Sequence, residues 1–143
     1  MLNISYPVFA FKIKQINGVD CIYDNIRKSW MVLTPEEWVR QNFIQYLIQT
    51  MQYPTTLIAV EKEIKVGELK KRFDILIYKN NLPWMIIECK KSDIKINGTV
   101  LQQILSYNTA IQAKYIVVTN GNNSFCWQIE NNKITICSVL PSW

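Results

Sequence analysis

Lys71-Arg72-Phe73-Asp74-Ile75-Leu76-Ile77-Tyr78-Lys79-Asn80-Asn81-Leu82-Pro83-Trp84-Met85-Ile86-Ile87-Glu88-Cys89-Lys90-Lys91 is the stretch whose reading decides the fold. Two apolar runs, 73–77 and 84–87, flank turn chemistry at 79–83, which predicts two short strands joined by a turn. Asp74 lies inside the first run, and Glu88 and Lys90 close the second. Carboxylates at the edge of buried strands are costly unless something compensates them, and a metal ion is a natural compensator. Residues two apart in a strand share a face, so Glu88 and Lys90 project together, roughly 6.6 Å apart at Cα, while Cys89 points away. If Asp74 sits at the same level of the neighbouring strand, two carboxylates converge. With a backbone carbonyl and waters they form the oxygen set that Mg²⁺ takes, with Mn²⁺ as a substitute. Such an ion polarises a phosphoryl oxygen and acidifies a bound water. Lys90 could orient or deprotonate that water, or stabilise developing charge. The competing reading is a solvated strand rim, since a Glu-x-Lys triplet is common by chance.

The rest of the chain bounds the chemistry. Its 143 residues are 49% hydrophobic and 19% charged, which predicts one globular domain over residues 1–143 with a single sizeable core. No apolar run reaches the ~20 residues that span a bilayer and no signal-like start is present, so a soluble, cytoplasmic protein without membrane contact is expected. Four cysteines (Cys21, Cys89, Cys126, Cys137) lack Cys-x-x-Cys spacing and histidine is absent. A zinc site and a disulfide framework are therefore poor readings. Without histidine, Ser-His-Asp and Cys-His mechanisms are excluded, and any catalysis rests on carboxylates, lysine and metal. The formal net charge of +5 suits a polyanionic partner, or simply a lysine-solubilised surface.

Taken in order, residues 8–24 predict a hairpin turning at Asn17-Gly18. Phe9, Phe11 and Ile13 alternate with Ala10, Lys12 and Lys14, which suggests one buried face. Arg27-Lys28-Ser29-Trp30 could grip a phosphate and stack on a base; the favoured reading is a loop whose Trp packs on the core. Thr34-Pro35-Glu36-Glu37 opens a helix with Thr34 as cap and Glu37 completing a capping box. That helix runs to about Met51 and buries a stripe including Val39, Phe43, Ile44 and Leu47. Glu37 and Arg40 share one side of it, and either could point into a site. Residues 56–66 predict a strand in which Glu61 and Glu63 alternate with apolar neighbours. Lys91 and Lys95, in the loop after Lys90, serve equally as phosphate contacts or as plain surface. A second helix spans about Thr99 to Ala113, with Gln103 and Tyr107 projecting together. Residues 114–120 read as a strand covered on both faces, and a last hairpin joins Phe125–Ile129 to Ile134–Ser138. The order predicts an α+β fold, a mixed central sheet with a helix on each side and hairpins at both ends.

These elements resemble the N-terminal domain of type I restriction enzyme R (motor) subunits, in a small stand-alone bacterial form. That domain is a member of the PD-(D/E)XK nuclease superfamily, with a restriction-endonuclease-like α-β-β-β-α-β core. The matching residues are 34–41 (Thr-Pro-Glu-Glu-Trp-Val-Arg-Gln), Lys71-Arg72-Phe73-Asp74, Glu88-Cys89-Lys90, the Gln-x-x-x-Tyr pair Gln103 and Tyr107, and 116–121 (Ile-Val-Val-Thr-Asn-Gly). The similarity covers about residues 8–130. The resemblance implies that Asp74 and Glu88 bind Mg²⁺, with the Cys89 backbone carbonyl beside them, and that Lys90 is the catalytic lysine. It implies that Glu37 is the acidic residue of the first helix, and that Gln103 and Tyr107 hold the DNA backbone or order the site. Arg72, Lys91 and Lys95 are the further DNA-contact candidates. Phe73 stands where the motif has Pro. No Gly-x-x-x-x-Gly-Lys-[Ser/Thr] phosphate loop is present, so a motor, specificity or other defence-system subunit would be a separate partner. Double-strand cutting would also ask for two active sites, as in a homodimer. The implied activity is Mg²⁺-dependent hydrolysis of DNA phosphodiesters. The rival is a catalytically silent nucleic-acid-binding or protein-interaction module of the same fold, and a third reading gives the polar cluster a purely structural role.

Overall fold

The computed structural model describes residues 1–143. Two sheets and two principal helices form a mixed α+β architecture. The smaller sheet is antiparallel, β1 (Ile13–Ile16), β2 (Val19–Asp24) and β3 (Ser29–Val32). The larger has β4 (Ile58–Val66), β5 (Leu69–Lys79), β6 (Leu82–Cys89), β7 (Tyr115–Thr119), β8 (Ser124–Glu130) and β9 (Lys133–Cys137), in that spatial order. All its pairings are antiparallel except β6–β7. That parallel step requires a crossover, supplied by helix α2 (Gly98–Ile111). Helix α1 (Pro35–Gln45) precedes β4 and continues through a π turn at Tyr46–Thr50.

The core is split by the larger sheet. On the α1 side, Ile75, Ile77, Met85, Ile87 and Val117 pack with Val39, Phe43, Ile44 and Leu47. On the α2 side, Phe73, Leu76, Ile86, Ile116 and Val118 pack with Ile104 and Ala113. Residues 85–87 and 116–118 are each fully buried, as expected of a strand covered on both faces.

Turn chemistry sets the hairpins. Asn17-Gly18, Asn80-Asn81 and Asn131-Asn132 all have positive φ, the left-handed pair that two-residue hairpin turns need. Thr34 accepts the Glu37 N–H at 3.0 Å and caps α1. Asn97 accepts from Thr99 and Val100 and caps α2.

Several local expectations are corrected. β1 begins only at Ile13 and is largely exposed (Ile13 49%), because the small sheet presents its edge strand to solvent. Ser29 and Trp30 open strand β3, where Tyr23 pairs with Trp30; Trp30 belongs to neither core cluster. Leu82 and Pro83 are already in β6, opposite Lys79 and Tyr78, so the turn before them contains Asn80-Asn81 alone.

Candidate active site

The register places the two carboxylates. β5 and β6 pair through Ile75 and Ile87, so Asp74 and Glu88 occupy the next opposed positions, where the ladder stops. There the sheet changes face. Phe73 belongs to the α2-side core while Ile75 belongs to the α1-side core, although residues two apart in a regular strand share a face. The same reversal occurs in β4, where Val60 packs on the α1 side and Ile64 on the α2 side. Between them, Glu61 adopts φ +51, a conformation uncommon outside glycine and frequent where strands are locally re-aimed. This break frees Asp74 from the pleat.

Both oxygens of Asp74 are engaged. Oδ1 accepts from Arg40 Nη2 at 2.9 Å, and Oδ2 accepts from the Cys89 backbone N–H at 2.8 Å. An extended residue directs its N–H and C=O to the same side of the strand, so the Cys89 carbonyl also lies toward Asp74. The Cys89 thiol lies in the α1-side core, away from Glu88, and burial pushes its pKa well up.

Glu88 is 8% exposed and its Oε1 is buried with no hydrogen-bond partner. Burial, together with the adjacent Asp74, pushes its pKa up to about 9, against the opposing pull of Lys71 and Lys90. For Asp74, burial is outweighed by the hydrogen bonds from Glu88 and Cys89 and by Arg40, which hold it below its usual value.

Glu88 opens into a small cavity of about 50 Å³ lined also by Lys71, Lys90, Gln103 and Tyr107. Gln103 and Tyr107 arrive together on α2. Lys71 Nζ lies 4.9 Å from the Tyr107 ring centroid. The Lys90 backbone N–H donates to Thr119 at 2.8 Å, fixing it beside β7.

On the α1 side, a chain of ion pairs supports Asp74. Arg40 Nη1 contacts Glu37 at 2.9 Å, and Arg27 contacts Glu37, Asp24 and Glu61 at 2.6, 2.6 and 3.0 Å. Gln41 Nε2 donates to Asp24 at 2.9 Å. Glu37 is 4% exposed with both oxygens inside this network; its N–H satisfies the Thr34 cap, but its carboxylate goes to the arginines instead of completing a capping box. It touches Arg40 and not Asp74. Glu36 is the helix acid whose field reaches Asp74: burial and then Asp74 raise its pKa, with Arg40 and Lys90 opposing.

Of the other candidates, Lys91 borders a groove of about 520 Å³ with Glu36, Arg40 and Glu61 and lies 3.8 Å from Asp93. Lys95 is exposed in the loop that Asn120 anchors at Ile94 O (2.9 Å). Arg72 is exposed, alternate to Lys71 and Phe73 along β5. Asp24, Gln41, Glu61 and Lys71 were not among the sequence candidates, and Arg27, read as a phosphate contact or loop residue, is instead paired with Asp24, Glu37 and Glu61. Only Asp24 carried a local signal: its Oδ1 accepts from Ile26 and Arg27 N–H, an Asx turn legible in Asp-Asn-Ile-Arg.

A hard cation fits this donor set. No point in the chain gathers three carboxylate, cysteine or histidine side chains. The oxygens available are the unpartnered Glu88 Oε1, Asp74 and the Cys89 carbonyl, and a hard ion completes such a shell with water.

The family model for the N terminus of the type I restriction enzyme R protein matches residues 35–141. The chain belongs to that family. Among solved structures, it resembles a DUF820 protein from Anabaena variabilis ATCC 29413 described as a "putative nuclease". The TM-score is 0.51 at 12% identity, covering 85% of this chain and 73% of that one. This likeness concerns the fold, which is nuclease-like. No curated protein matches the sequence. No helix is long and apolar enough to cross a membrane.

Proposed function

We propose that this R-protein N-terminal domain is a Mg²⁺-dependent DNA nuclease, with Mn²⁺ able to substitute. The observation that carries the reading is the buried, unpartnered Glu88 Oε1 opposite Asp74, in a cavity shared with Lys90, Gln103 and Tyr107. Asp74, Glu88 and the Cys89 carbonyl would hold the ion, which when bound supplies Lewis acidity toward a phosphoryl oxygen and acidifies water. Glu88 must release its proton for that role, since a protonated carboxyl is a poor ligand. Lys90 lies where it can take a proton from the attacking water or donate a hydrogen bond to the scissile phosphate. Gln103 and Tyr107 offer neutral donors to a phosphodiester oxygen, and Lys71 adds positive charge beside them. Arg72, Lys91 and Lys95 are exposed and suit outer backbone contacts. Arg40 and Glu37 act by holding Asp74 in place.

The silent-module reading has one specific support. Arg40 already pairs with Asp74, and burial beside Asp74 favours the neutral form of Glu88, so the cluster can stand without an ion. Labelled duplex and single-stranded DNA incubated with Mg²⁺ or Mn²⁺ separates the two, with chelator and Asp74→Asn as controls. Metal-dependent cleavage absent from both controls supports the nuclease; DNA binding without cleavage, and no calorimetric Mn²⁺ binding, supports the silent module. The family name points to restriction-system subunits and DNA as partners, and a homodimer would supply two sites for double-strand cutting.

A further inference from the structure

The outer face of the small sheet joins positive charge to aromatic rings. Lys12, immediately before β1, aligns with Tyr23 and Trp30 in one row, and Lys14, the buried Cys21 and the exposed Val32 form the next row on the same face. The opposite face turns inward through Ile22 and Asp24, which are 0% and 1% exposed. Lys12 Nζ lies 5.8 Å from the Tyr23 ring centroid and Lys14 Nζ 4.2 Å from that of Trp30; the two rings are 5.3 Å apart. Alternation assigns Asp20 to the other face, so this one carries no carboxylate. Val32, 55% exposed, also lines a separate groove bordered by Glu36, Glu37, Arg40, Glu61 and Lys91.

We propose that this face, centred on Lys12, Lys14, Tyr23 and Trp30, is a binding platform for single-stranded nucleic acid. The charge selects a polyanion, and the choice of nucleic acid among polyanions rests on the nuclease reading. The rings select a single strand. A duplex offers phosphates but keeps its base faces stacked internally, whereas a single strand presents both. On binding, each lysine exchanges its ring for a phosphate and uncovers that ring for a base. Both lysines are exposed, so the exchange requires only side-chain rotation.

The test is fluorescence anisotropy with a labelled oligothymidylate in chelator, where cleavage plays no part. Wild type is compared with Lys12→Ala/Lys14→Ala and with Trp30→Leu, folding being checked by circular dichroism. The expected result is roughly tenfold or greater weakening in each variant. The lysine variant should also lose about 1.4 from the slope of log affinity against log salt, ~0.7 for each phosphate contact. Should Trp30 prove structural, the lysine variant alone decides, because its side chains are solvent-facing. Unchanged affinity in the folded lysine variant overturns the platform, as does preference of wild type for phosphatidylglycerol vesicles over the oligonucleotide. Binding through this face without cleavage under any metal leaves the platform standing and removes the nuclease reading.

Discussion

On the proposed nuclease reading, Glu88 is the residue on which metal binding turns. Its folded pKa of about 9 exceeds the ordinary 4.5, so the folded protein holds this proton more tightly than the unfolded chain does. Its stabilising contribution is complete below about pH 4.5 and is lost as pH rises toward 9. Asp74 has the opposite sign: held below 3.8, it favours folding at higher pH and ceases to do so in acid. Urea melts of the metal-free protein should therefore show stability falling between pH 5 and 8, with Glu88→Gln flattening that slope. An unchanged slope would remove Glu88 as the titrating group. Metal binding must displace the same proton, so calorimetric Mn²⁺ affinity should rise by about tenfold per pH unit over this range. Arg40 makes a second test. It is 6% exposed on its side chain and Asp74 15%, and deleting one partner of a buried pair strands the other charge. Arg40→Ala should cost about 3–5 kcal/mol in chemical denaturation; a loss under 1 kcal/mol would mean that the ion-pair chain supports nothing. Little of that chain was legible beforehand. Arg27 and Glu61 are 34 residues apart in sequence, and no spacing rule links a turn arginine to a strand glutamate.

At the scale of elements, local chemistry was readable and facing was not. Asn17-Gly18 and Asn131-Asn132 marked turns, Thr34 marked the cap of α1, and the central hairpin followed from its apolar runs, while the Asn97 cap of α2 lies in a stretch that reads as loop. The face reversal at Glu61 and Asp74 left no such mark, because alternation in 58–66 and 69–79 is compatible with a flat ladder until the two core clusters are seen. The β3 strand was hidden for a related reason: only four residues long, Ser29–Val32 is too short to show an alternation, and it directly follows the polar Arg27-Lys28 turn. Helix α2 carries Gln103 and Tyr107, and its order depends on its first turn. Asn97→Ala removes the acceptor for the Thr99 and Val100 N–H groups and should cost about 1 kcal/mol. Thermal melting would register this as a drop of about 3 °C, and no shift would show that the cap is dispensable.

Over the whole molecule, the mixed sheet, its two helices and the family were within reach of the sequence, because a parallel β6–β7 step bridged by a helix leaves a distinctive order of periodicities. That Glu88 and Lys90 project together followed from strand alternation, but Asp74 comes opposite Glu88 only because the β5–β6 register shifts between Ile77 and Tyr78; the Asn80-Asn81 turn alone would set it against Ile87. What alternation could not predict is that the ladder ends at that level and that an arginine from α1 closes the carboxylate from the other side. On the proposed reading, the resulting division assigns α1 and the Asp24–Arg27 pair to holding Asp74, α2 with the ends of β5 and β6 to chemistry, and the outer face of the small sheet to nucleic-acid binding. Lys90 is the point at which the division can be tested, because it belongs to the chemistry without being a ligand to the ion or a member of the ion-pair chain. The most direct measurement is Mg²⁺- or Mn²⁺-dependent cleavage of labelled DNA by wild type and by Lys90→Ala at matched metal occupancy. The account predicts cleavage by wild type, at least about 100-fold slower in the variant, with Mn²⁺ affinity retained. Equal cleavage by both proteins, or none by wild type under any metal, would contradict it.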